Sequence, residues 1–240
     1  MCSLMASLAH NASSAKGRLG RFSSCVYNHS GLEAMESKTF TQIKLERIHV
    51  TPRALELSPQ SVQQRFAVVW DPLEELLIRL KNLPIGLLRA WLKQPDGHVV
   101  ITHLPSRYAP GREMLKRHVL RNVAYVSVAD LAKDTADALV PVGHLLDHLL
   151  GNGGGDSGAW LSEGGGTTLA LREVGRRVSG LFLLGYGADA TARANVRDYW
   201  ACSFAGYLHD RESLNVADPL MEKLLRATIL APAFWRANRT

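Results

Sequence analysis

Cysteine is scarce in this chain. Cys2, Cys25 and Cys202 are the three among 240 residues, widely spaced and without a CxxC pair, which argues against a disulfide-stapled scaffold and against a self-contained zinc knuckle. Long apolar runs are missing too: none approaches the ~20 residues a membrane-spanning helix needs. A soluble chain without a membrane span is therefore expected, with the cytoplasm favoured as its compartment. Acidic residues are absent from "MCSLMASLAHNASSAKGRLGRFSSCVYNHSGL" at the start of the chain, which carries Lys16, Arg18 and Arg21. That composition is like a transit peptide's, yet the segment has no continuous apolar centre of a secretory signal. A poorly ordered extension over residues 1–40 is the simpler expectation.

What is present fits one substantial core over residues 41–240. Hydrophobic residues make up 46% and charged residues 21%, ordinary values for a globular domain. The net charge of +6 would suggest nucleic acid only if the cations clustered. They are scattered beside acids instead, as in "LREVGRRVSG" and "HDRESLN", so a solvated surface is expected and a nucleic-acid partner is not.

Local patterns place the elements. In "WDPLEELLIRLKNLP", Asp71 fits an N-cap with Pro72 at the first helical position and Glu74 after it, so a helix should run from there and stop before Pro84. "IGLLRAWLKQPDG" reads as a second short helix closed by Pro95, Asp96 and Gly97. "HVVITHL" (98–104) and "NVAYVSVAD" (122–130) carry β-branched and aromatic residues with near-alternation and read as strands. The polar connection between them is expected to be partly helical. Helical spacing resumes after Asp130, with Leu139, Val142, Leu146 and Leu149 on one stripe and His144 and His148 opposite. Pro141 is tolerated only in a first turn, which predicts a bend or a helix start near Val140. Further helices are expected over 167–187, over 191–210, and from Pro219 to a stop before Pro232. The fold class is α+β, a small mixed sheet with a helix-rich C-terminal half.

The glycine-rich stretch "GNGGGDSGAWLSEGGG" (151–166) has no Gly-Lys-Ser/Thr after it and fails as a phosphate loop. It reads as a flexible loop beside a cleft. Glu163 within it is a conceivable base, though a solvated carboxylate is the plainer reading. Ser157 and Ser162 lack a nucleophile elbow.

The chemistry concentrates in "HLLDH". Two histidines at i and i+4 can share one metal ion, but the proton-accepting Glu that a zinc peptidase places after its first His is Leu145 here. A second register is offered by "GHLLDHLLG", its glycine-rich sequel, and "RDYWACSFAGYLHDRESLN" some fifty residues on. Together with "LPIGLLRAWLKQPDGHVVI", these stretches resemble the metallopeptidase domain of the anthrax toxin lethal factor family, over roughly residues 70–236. The resemblance implies a zincin-like fold. It sets Gly143 and His144 on the end of the family's H-E-x-G-H motif, Val140 where the first zinc His would stand and Pro141 where the catalytic Glu would stand. Cys202 falls where a later helix supplies a Glu ligand. Of the ligands and base, His144 alone is kept.

Three functions follow as expectations. The preferred one is a zinc-peptidase-like domain that has lost catalysis, carries no cofactor, and binds an unidentified protein or peptide in the former active-site cleft. The second is a working hydrolase with zinc on His144, His148 and Cys202, since a thiolate is a good zinc ligand. The third, resting on charge alone, is a basic nucleic-acid-associated protein.

Overall fold

The computed structural model describes residues 29–187 and 190–238. Most of the segment likened to a transit peptide lies outside them. Helix α1 (His29–Arg47) crosses the boundary drawn at residue 40 and leads directly into strand β1 (Ile48–Val50). Its last residue, Arg47, donates to the carbonyls of Leu92, Gln94 and Pro95, which ties the helix to the rest of the domain.

After a short helix α2 (Gln60–Arg65) come the two helices expected from the sequence, α3 (Asp71–Leu80) and α4 (Ile85–Lys93). Asp71 plays a different part from the one anticipated. It is the first helical residue, and its carboxylate accepts from the backbone N–H groups of Ala67 and Val68, so it closes the preceding turn.

Three strands complete the sheet: β2 (His98–Thr102), β3 (Arg107–Leu115) and β4 (His118–Ser127). The order is β1-β2-β4-β3, with β1, β2 and β4 parallel and β3 antiparallel to β4 at the edge. The connection expected to be partly helical is therefore the first arm of a hairpin. Pro110 and Gly111 sit at a register shift between Ala109 and Arg112, where a missing N–H and a positive φ are tolerated on an edge strand. Alternation sorts the strands' side chains. Val99, Ile101, Ala124 and Val126 enter the main core, while Val100, Ala109, Leu120, Val123 and Tyr125 form a small cluster on the other face.

Helices supply the remainder: α5 (Val128–Lys133), α6 (Val140–Asn152), α7 (Leu169–Phe182), α8 (Val196–His209), α9 (Arg211–Ala217), α10 (Pro219–Ala227) and α11 (Pro232–Ala237). The molecule is thus a mixed α+β fold with a small four-stranded mixed sheet. Helix α6 starts at Val140 with Pro141 in its first turn, as the proline requires. Asp218 caps α10 by accepting from the Met221 N–H and takes a second bond, 2.6 Å, from the buried Tyr199 hydroxyl of α8. No helix among the described residues is long and apolar enough to cross a membrane.

Candidate functional site

Helix α6 is buried on nearly every side. Leu145, Leu146 and Leu149 pack into the core, and Asp147 and His148 are buried as well. The stripe that carries the histidines is therefore a packed surface, and what packs there defines the site.

Gly143 sets the geometry. A Cβ at this position would stand 2.8 Å from the Cα and the carbonyl oxygen of Ala201, so the missing side chain lets α8 cross α6 at backbone contact. Trp200 locks the crossing by donating from Nε1 to the Gly143 carbonyl, 3.2 Å. The crossing brings Asp198, in the first turn of α8, to 3.2 Å from Nε2 of His144. Burial lowers the His144 pKa, with Asp198 pulling the other way.

His148 is held at both nitrogens. The Tyr108 hydroxyl on edge strand β3 lies 2.7 Å from Nδ1, and the Gly155 carbonyl lies 2.9 Å from Nε2. A carbonyl only accepts, so Nε2 carries the hydrogen, and Nδ1 is the acceptor for the Tyr108 O–H. Burial depresses the His148 pKa, which keeps this neutral tautomer. The Tyr108 phenol is pushed well above its ordinary pKa by burial and by Asp147, so it remains a donor. Trp160 stacks flat on the His148 ring at 4.6 Å between centroids.

Asp147 anchors the glycine-rich stretch to α6. Its carboxylate accepts from the Ser162 N–H and the Ser162 hydroxyl, both at 2.7 Å, and burial lifts its pKa to about 7. Gly151 permits the same approach, since a Cβ there would meet the Leu161 nitrogen at 2.3 Å. The stretch expected to be flexible is therefore, at residues 160–162, part of the packed interior. Glu163 is a tether: it accepts from the Trp160 N–H and pairs with Arg197, whose guanidinium lies 3.9 Å over the Trp160 ring.

The anticipated site residues are thus partly assembled. His144 and His148 sit one turn apart on α6, each with its own partners. Val140 and Pro141 occupy the first turn of that helix, packed against the core. Cys202 is half-buried on α8, one turn beyond Asp198, whose carboxylate lies against His144. Among the described residues no three His, Cys, Asp or Glu side chains converge to hold a metal ion. The donor set at His148 does not fit zinc either: one nitrogen bears a hydrogen and the lone pair of the other is taken by Tyr108. Tyr108, Trp160 and the Arg197–Asp198 pair carried no signal as a group, because they come from three separate parts of the chain, β3, the glycine-rich stretch and the start of α8.

Comparison with protein families, characterised proteins and solved structures finds no match to this chain.

Proposed function

We propose that this chain is a zincin-like domain of the lethal factor type that has lost its catalytic apparatus, and that it binds an extended peptide in the cleft beside α6. The observation that carries the reading is the double hydrogen bonding of His148. A histidine that must ligate a metal needs a lone pair facing the site, and this one gives its only lone pair to Tyr108. The reading is supported further by the crossing of α6, which carries Val140, Pro141 and His144, with α8, which carries Cys202, at Gly143 and Ala201.

Edge strand β3 gives the cleft a means of binding. An edge strand offers unpaired backbone groups to an extended peptide, which can add to the sheet as a further strand. Pro110 has no N–H to offer, and the register shift beside it bends the strand. These features divide the edge in two, and an added strand on the Arg107–Ala109 half would lie next to Tyr108 and the His144 ring, which stack at 6.2 Å. His144 and Arg197, both partly exposed, then face the side chains of the incoming peptide.

A peptide display selection against the full chain tests the reading, followed by mapping of the enriched peptides by amide shifts. The expected result is protection at residues 107–109, loss of binding in Tyr108→Ala, and well under one zinc per chain in protein purified without chelator. Stoichiometric zinc with peptide hydrolysis, both abolished by His144→Ala, would instead establish the hydrolase built on His144, His148 and Cys202.

A further inference from the structure

A concavity lies away from the histidines. It has a volume near 880 Å³ and is bounded by α4, the start of α7 and the C-terminal helix α11, with Phe40 of α1 at one side. That volume is within the range of small-molecule sites. Its floor is apolar, formed by Leu88, Leu150 and Leu171, each almost fully buried.

The wall depends on one glycine. A Cβ on Gly86 would fall 2.1 Å from Trp235 Cβ, so α11 can rest against α4 only because position 86 has no side chain. Trp235 is fixed there by donating from Nε1 to the Ile229 carbonyl, 2.8 Å. The tryptophan thereby becomes a rigid aromatic side of the cavity.

The rim has one sign of charge. Lys81, Arg89, Lys93 and Arg236 line it, and no Asp or Glu does. Elsewhere on the described surface many cations are matched by acids, Arg53 with Glu56, Arg121 with Asp156, Arg177 with Glu173 and Arg211 with Glu222 among them. Lys81, Arg89 and Arg236 meet no carboxylate among the described residues. An apolar floor under unmatched cations is complementary to a molecule with an apolar body and an anionic head. The chain's own N-terminal stretch has the wrong sign, since residues 1–28 contain Lys16, Arg18 and Arg21 and no acid.

We infer that the cavity between α4 and α11 binds a small anionic amphiphile, an acyl chain lying on Leu88, Leu150 and Leu171 with its carboxylate among Lys81, Arg89 and Arg236. This site is separate from the peptide cleft and does not depend on that reading.

The test is calorimetric titration of the full chain with dodecanoate below its micelle threshold, with tryptophan fluorescence read in parallel. Dodecanol and dodecylammonium provide the same chain with no charge and with the opposite charge. One saturable site is expected for dodecanoate, with binding weakened by roughly tenfold or more for dodecanol and for the Arg89→Glu, Arg236→Glu double variant, as loss of a charge-assisted contact implies. The fluorescence change should vanish in Trp235→Phe while the calorimetric site persists. Equal affinity for the three alkyl probes would overturn the anionic recognition, and so would unchanged binding in the double variant. Absence of saturable binding would overturn the site. Ligand-free dimerisation that blocks dodecanoate would assign the groove to a second copy of the chain instead. If the double variant fails to fold, the three-probe series on the unaltered chain still decides.

Discussion

The surroundings of His148 and the groove between α4 and α11 treat polar groups in opposite ways. Around His148 each donor has an acceptor: Tyr108 gives to Nδ1, Nε2 gives to Gly155, and Ser162 gives twice to Asp147. In the groove, cations stand over an apolar floor without carboxylates. A buried network that is fully satisfied fixes one geometry, so around His148 it is the partly exposed His144 and Arg197 and the edge of β3 that remain for a peptide. A rim where Lys81, Arg89 and Arg236 meet no carboxylate among the described residues, over an apolar floor, has much to gain from an anionic ligand. The residues most suggestive of chemistry in the sequence are therefore the ones most committed to the fold.

The largest expected break in this contrast is Asp147→Ala. It strands the N–H and the hydroxyl of Ser162 in a site without solvent, and two orphaned buried donors should cost about 2–5 kcal/mol. Urea unfolding should show it as a lower midpoint. Tyr108→Phe follows at about 1–3 kcal/mol, because one acceptor, Nδ1 of His148, loses its donor while the ring packing persists.

Much of this contrast's framework was legible in the sequence. Pro141 announced the start of α6, and Asp218 with Pro219 announced α10, because capping and proline chemistry act within one turn. Strand β3 was not legible: "RYAPGREML" contains Pro110, Gly111 and no β-branched residue, and it is a strand because β4 pairs with it. The His144 and His148 spacing was visible, and their partners were not. Asp198 reaches His144 only because Gly143 and Ala201 let two helices touch, and Tyr108 reaches His148 only through the hairpin. Neither contact has a local signature. The expectation of a loose glycine loop failed at residues 160–162 for the same reason, since Gly151 of α6 lets Trp160 and Leu161 approach that helix at backbone distance.

Proton linkage sharpens the comparison with a smaller effect. Asp147, with its pKa raised from 3.8 to about 7, holds its proton more tightly when folded. Its contribution to stability is full below pH 3.8 and is lost as pH rises through about 7. His148, and His98 with its pKa lowered by burial from 6.5 to about 4, act in the other direction: their contribution is present above pH 6.5 and is lost as pH falls. Asp147→Asn removes the first dependence and keeps the second. The stability difference between the unaltered chain and Asp147→Asn should therefore grow in favour of the unaltered chain as pH is lowered from about 8 to about 5, read as urea midpoints across that range.

The smallest effect belongs to the groove. Arg89→Glu breaks no ion pair among the described residues and should change stability by about 0.5 kcal/mol or less, measured by the same unfolding assay. A substitution that leaves the fold untouched yet weakens dodecanoate binding would separate a binding surface from a structural one, the reverse of what Tyr108→Phe should show.

The most direct measurement is a long-range proton–nitrogen correlation spectrum of the histidine rings, recorded near neutral pH with and without added zinc. The account predicts that His148 is the neutral tautomer with its hydrogen on Nε2, that zinc leaves both its nitrogens unmoved, and that Tyr108→Phe shifts Nδ1. Zinc-dependent shifts of the His144 and His148 ring nitrogens together, at one equivalent of metal, would contradict it.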